Sequence, residues 1–181
     1  MKVKFVRPLV TQVEAEKHLA TKRHLFFRAS KQLKKIELIY LPYFWAKLET
    51  EFKGKRETLT VAVDGIEGVA AFPKTDFVRF EEGEKAGRIP FFLREREAES
   101  AAFTSARYFS LQVGIRQKLP LKLVRLLSLE RMYYPFWVGY YGSRKGFSFK
   151  ALDAVSGAIQ GAKMKQVFAE AIKILQQLQS L

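Results

Sequence analysis

The 181-residue chain has no cysteine. This excludes disulfides, thiolate metal sites and a cysteine nucleophile. Histidine is nearly absent too, with only His18 and His24. Six positions apart on a helix, the two would stand about 240° apart, so they do not share a face as an i, i+4 metal pair does. No glycine-rich dinucleotide or phosphate loop occurs, and no serine lies in a nucleophile-elbow context. No uncharged apolar run approaches the length of roughly 18 residues that a membrane-spanning helix needs. Met1 to Pro8 carries charge without an apolar run behind it, so no secretory signal and a cytoplasmic location are expected. Acidic residues are scarce in the second half. Ser100 to Leu181 holds three against twelve Lys and Arg, a net of +9, within a chain of net charge +14.

What is present is apolar and aromatic. At 48% hydrophobic and 14% aromatic residues, with sixteen Phe, the chain can bury a substantial core, which argues against disorder. The basic balance favours an anionic partner, nucleic acid first and an acidic protein surface second. General solubility charge is the alternative.

The strongest internal signal is a repeat. Ile36-Glu37-Leu38-Ile39-Tyr40-Leu41-Pro42-Tyr43-Phe44-Trp45 is echoed by Leu129-Glu130-Arg131-Met132-Tyr133-Tyr134-Pro135-Phe136-Trp137-Val138. Each copy is followed by a turn, Asp64-Gly65-Ile66-Glu67-Gly68 and Asp153-Ala154-Val155-Ser156-Gly157. Pro42 to Asp64 is 22 residues and Pro135 to Asp153 is 18. The difference is even, so a hairpin shorter by two residues per strand absorbs it without turning any side chain to the other face.

Thr11-Gln12-Val13-Glu14 fits a capping box, opening a helix that should run to about Arg28. Pro42 and Pro135 cannot donate to a ladder, which puts each at an edge, a bulge or a strand start. Lys53-Gly54-Lys55-Arg56 reads as a hairpin turn, Thr58 to Val63 as its return strand, and Val69 to Phe72 as a continuation. Glu95 to about Leu111 reads as a second helix with a stripe of Ala98, Ala102, Ser105 and Phe109. Leu119 to Leu129 is apolar and ambiguous. Met132 to Tyr141 and Phe147 to Asp153 form a second hairpin, and Ala162 to Gln179 a closing helix.

The expected fold is α+β. Two tandem pseudo-repeats, each a helix plus an antiparallel β-hairpin, pack their helices on one face of an antiparallel sheet, with a C-terminal helix. The first repeat covers 1–80, an acidic-basic junction 81–94, and the second repeat with its closing helix 95–181. The strands are apolar on both sides, so one sheet face can meet the helices and the other needs the sister repeat, a second subunit or a ligand. Short hairpins ending in Asp-x-x-x-Gly resemble those of the PepSY family, small extracytoplasmic or membrane-linked modules often associated with peptidase inhibition. The resemblance covers one hairpin per repeat and assigns no functional residue.

Glu37 and Glu130 are equivalent in the repeat, as are Asp64 and Asp153. A pseudo-twofold axis that joined either pair would make a carboxylate dyad or an oxygen-liganded metal site. Against this, an Asp before a glycine-containing turn caps its own backbone, and each Glu has basic neighbours to pair with. No catalytic residue, cofactor or metal ligand is therefore assigned. The basic hairpin tips are the sharper feature. Lys53, Lys55 and Arg56 cap one ribbon, Arg144 and Lys145 the other, with Arg131, Lys150, Lys163 and Lys165 in support. Such tips suit phosphates, and nearby aromatics suit unpaired bases. Helix one adds Lys17, Lys22, Arg23, Arg28, Lys31, Lys34 and Lys35, read as a solvated basic face. The expectation is a non-enzymatic module for nucleic acid, or else a protein-interaction module that works through an aromatic sheet face, self-associating as a homodimer or binding a partner.

Overall fold

The computed structural model describes residues 3–20, 32–73, 78–83, 88–118, 121–143 and 146–179. In chain order the elements are β1 (Lys4–Val6), α1 (Gln12–Leu19), β2 (Leu33–Phe52), β3 (Lys55–Asp64), β4 (Ala70–Ala71), β5 (Phe80–Glu82), α2 (Glu95–Gln117), β6 (Lys122–Ser143), β7 (Gly146–Asp153) and α3 (Ala162–Gln179). Among the described residues three helices thus accompany one seven-stranded, mostly antiparallel sheet of order β4-β3-β2-β6-β1-β5, with β7 also on β6. The fold is a mixed α and β one.

The long strands β2 and β6 form the centre, antiparallel from Leu33↔Tyr141 to Glu51↔Lys122. Their β-branched and aromatic side chains suit a sheet buried on both faces. Pro42 and Pro135 lie within these central strands, yet neither breaks a ladder. The Pro42 carbonyl accepts from Gly65 N and the Pro135 carbonyl from Ala154 N, at 2.7 and 3.1 Å. Each proline therefore turns its backbone away from the central partner. Each also sits where the outer neighbour changes. On β6 that neighbour passes from β1, parallel at Phe5↔Tyr133, to β7, which begins at Phe136↔Asp153. On β2 it passes from Arg88, bridged in parallel to Tyr40, to β3 at Tyr43↔Asp64. A missing donor costs nothing at such a gap.

The same set of hydrogen bonds closes both hairpins. Asp64 N donates to Val69 O and Asp153 N to Ala158 O. Phe92 and Leu93 N both donate to Gly65 O, as Leu9 and Val10 N do to Ala154 O. The β6–β7 ladder ends at Ser143↔Gly146 and the β2–β3 ladder at Phe52↔Lys55, so counted from Pro135 and Pro42 the β6–β7 hairpin is two residues shorter per strand.

The ambiguous segment before Leu129 is the first part of β6. Its leucines, Leu123, Leu126 and Leu129, recur every third residue, yet all pack beside α2. Two register shifts make this possible, leaving Leu127 and Val124 as extra residues opposite Lys47/Leu48 and Glu49/Thr50. Each bulge resets the alternation of faces, and the two extra residues are the exposed ones.

Helices lie on both faces of the sheet, not on one as expected. Alternate residues of a strand point to opposite sides. Phe44, Ala46 and Leu48 pack against α2, while Leu38 and Trp137 on the same side meet α1. Ile39, Leu41, Tyr43, Phe136 and Val138 point the other way, to Val167, Phe168 and Ala171 of α3. The strands' apolar character on both sides demands this cover, and it removes the uncovered aromatic face. α2 buries Ala98, Ala102, Ala106 and Ser110, a run at i+4 rather than the expected Ser105 and Phe109. Thr11 and Glu14 form the expected capping box on α1, with Glu14 N to Thr11 Oγ1 at 3.3 Å and Thr11 N to Glu14 Oε2 at 2.8 Å. The expected continuation of that helix toward Arg28, with His24, lies outside the described residues.

Candidate functional site

The described basic positions do not gather into one patch. Lys53, Lys55 and Arg56 stand at the β2–β3 turn, exposed, where Lys53 has φ of 53° and lies 5.3 Å over the Phe52 ring. The other tip, Arg144 and Lys145, lies outside the described residues. Its flanking strand end pairs near Leu33, at the opposite end of the β2–β6 ladder. At about 3.3 Å per residue the two ends are on the order of 60 Å apart. Arg131 stacks its guanidinium over Phe44 and Phe91, at 5.7 and 5.4 Å, and pairs with Glu95 at 3.2 Å, fastening the start of α2. Lys150 lies 5.4 Å over the Tyr141 ring. Lys163 and Lys165 are exposed on α3, across the sheet from α2.

Register does assemble one basic end. Lys122 sits opposite Glu51 and Arg125 opposite Glu49, beside the turn that carries Lys53, Lys55 and Arg56. Lys118, the left-handed C-cap of α2, precedes Lys122 by four residues. Glu49 is held between Arg125 at 3.4 Å and Arg56 at 3.6 Å, so two of these cations are partly neutralised. Lys122 and Arg125 escaped the sequence reading because their placement needs the strand assignment of Lys122–Leu129, and Lys118 because α2 runs on to Gln117, past the expected end near Leu111.

The repeated glutamates do not meet. Glu37 pairs across the ladder with Val138 and Glu130 with Trp45. Glu37 forms an ion pair with Lys35, and Glu130 with Lys4, whose hydrogen bond lowers the Glu130 carboxyl below its usual range. The aspartates cap their turns as expected. Asp64 Oδ1 accepts from Ile66 N and Glu67 N at 3.0 and 2.8 Å, and Asp153 Oδ1 from Val155 N and Ser156 N at 2.8 and 3.1 Å. They differ at the second oxygen. Asp64, fully buried, also accepts from Val69 N through Oδ2, whereas both Asp153 oxygens meet the Tyr134 hydroxyl, at 3.1 and 3.2 Å. Burial first, and the Asp153 charge second, push the Tyr134 hydroxyl well above its ordinary range, so it stays protonated and donates. Tyr43 is raised by burial and by both aspartates, and its hydroxyl reaches Met164 Sδ at 3.9 Å.

These side chains border a cavity of about 680 Å³ between the sheet, the β3–β4 edge and the start of α3. Tyr43, Trp45, Phe72, Tyr134 and Phe136 contribute five aromatic rings to its wall, which Asp153 also lines. Among the described residues no cluster of three or more His, Asp or Glu is arranged to hold a metal, and no helix is long and apolar enough to cross a membrane.

Compared with known protein families, curated proteins and solved structures, the chain matches none. The likeness to PepSY hairpins stays with the turn motif and supplies no residue role.

Proposed function

We propose that this chain is a non-enzymatic binding module that engages nucleic acid through the basic end of its sheet. The observation that carries this is the convergence of Lys53, Lys55, Arg56, Lys122 and Arg125 around one strand end, with Lys118 nearby. A protruding ribbon end with several cations suits phosphate contacts. The non-enzymatic part is supported by the carboxylates that the repeat singles out, since each is engaged in a turn cap or an ion pair. We further read the two halves of the chain as copies of one unit. Matching hairpin registers, Asp turns and proline positions support that reading.

The test is fluorescence anisotropy with labelled single-stranded DNA, duplex DNA and RNA over a salt series. Lys53→Gln, Lys55→Gln and Lys122→Gln together leave the Glu49 bridge intact. Each lost phosphate contact should flatten the log–log salt slope by about 0.7–0.9. An unchanged slope removes the basic end from the interface. Absence of binding to all three nucleic acids transfers the reading to a protein partner or a homodimer. Tyr108, Leu111 and Ile115 favour that alternative, as an exposed apolar stripe along α2.

A further inference from the structure

We propose that the aromatic cavity beside Asp153 binds a small organic cation, an ammonium or guanidinium carried on an apolar body. This is independent of the nucleic-acid reading, because the cavity lies in the middle of the α3 face and the basic end at one extremity of the sheet.

Three observations carry it. First, about 680 Å³ falls within the ~300–1,000 Å³ of ligand cavities, and its wall of aromatic rings with few polar groups is the usual make-up of such sites. Second, its charge is opposite to that of the molecule. In a chain of net charge +14, the described residues of the lining include no Lys or Arg and one carboxylate, Asp153. Aromatic faces attract cations through their quadrupole, and a carboxylate beside them fixes the cationic group. Third, Asp153 and its counterpart differ in the way a site requires. Asp64 spends both oxygens on backbone N–H groups in a fully buried turn. At Asp153 the backbone donors Val155 N and Ser156 N use Oδ1 alone. Among the described residues Oδ2 meets the Tyr134 hydroxyl alone, on the cavity side, and it keeps lone-pair capacity for a ligand N–H. Gln160 lines the same space and offers a further polar group.

The experiment is calorimetric titration of the full chain with three probes of one shape: 2-phenylethylammonium, 2-phenylethanol and phenylacetate. The ammonium should bind saturably, the alcohol at least tenfold more weakly, and the carboxylate not measurably. Asp153→Asn keeps the turn cap and should bring the ammonium down to the affinity of the alcohol. Ala71→Trp, at an exposed lining position of β4, should block both while leaving Asp153 untouched. Equal affinity for ammonium and alcohol, ammonium binding unaffected by either variant, or no binding of any probe would each overturn the proposal. Should Asp153→Asn not fold, the probe series and Ala71→Trp decide alone. Anisotropy of the same variants with nucleic acid separates this site from the basic end, since neither substitution touches the latter.

Discussion

Exchanging each turn aspartate for asparagine should separate two sites that look alike in sequence. Asparagine keeps one carbonyl oxygen, which suffices for the two amides that Oδ1 holds in each turn, those of Ile66 and Glu67 or of Val155 and Ser156. The second position decides the outcome. At Asp64 the new Nδ2 would face Val69 N, one donor against another, in a residue with no solvent exposure. An unsatisfied buried donor costs about 1–3 kcal/mol. Part of that is offset, because burial already raises the Asp64 carboxyl and an amide carries no charge to desolvate. A net loss of about 1–2 kcal/mol is expected for Asp64→Asn. At Asp153 the amide would face the Tyr134 hydroxyl, which can turn to accept, so Asp153→Asn should cost less than about 0.5 kcal/mol. Urea unfolding followed by circular dichroism measures both, the midpoints shifting at constant slope. Equal losses, or a larger one at Asp153, would refute the assignment of donors.

Two further outcomes follow from packing and charge. A Cβ on Gly65 would lie 2.9 Å from Phe91 Cδ1 and 3.0 Å from Pro42 Cβ, and the proline ring cannot swing away. Gly65→Ala should therefore cost about 1–3 kcal/mol in the same urea assay, although the corresponding residue of the other turn, Ala154, is accommodated at that place. Lys4 lowers the Glu130 carboxyl from its ordinary 4.5, so this pair's contribution is present above that value and lost as pH falls through the folded-state value. As a partly exposed pair it should be worth less than about 1 kcal/mol. Thermal melts of Glu130→Gln and wild type should differ at pH 7 and converge toward pH 3.

Much of the architecture was legible where a local rule acts alone. The capping box at Thr11, the bounds of Ala162–Gln179 and the two Asp turns each depend on residues a few positions apart. The alternation of Tyr133, Trp137 and Tyr141 against Tyr134, Phe136 and Val138 also follows from strand periodicity. Lys122–Leu129 stays ambiguous between helix and strand in the sequence, since its leucines keep a period of three, which only the bulges at Leu127 and Val124 reconcile with a sheet. Losing that strand also hid Lys122 and Arg125 from the candidate site. The cavity was illegible for a different reason. It needs α3 and the β4 edge over the same face, a placement that no local pattern encodes. One signal was available and passed over: Glu14-Ala15-Glu16 recurs as Glu97-Ala98-Glu99, in both cases with the Glu at the third helical position and a fully buried Ala after it.

The connectivity of the sheet explains why two copies, on our reading, had to become one body. The segment before α1 pairs in parallel with β6, at Phe5↔Tyr133, and the segment before α2 bridges in parallel to β2, at Arg88↔Tyr40. Each half therefore lends its leading segment to the other half's central strand. There it covers the stretch of outer edge that a proline-ended ladder leaves open. Phe5 and Ile89 are both fully buried in these positions, so either half alone would expose a core side chain and an unpaired strand edge. The two turns differ although the core between them is shared. One turn sealed its aspartate with a third backbone donor, and the other kept a carboxylate oxygen beside Tyr134, at the aromatic wall of the cavity.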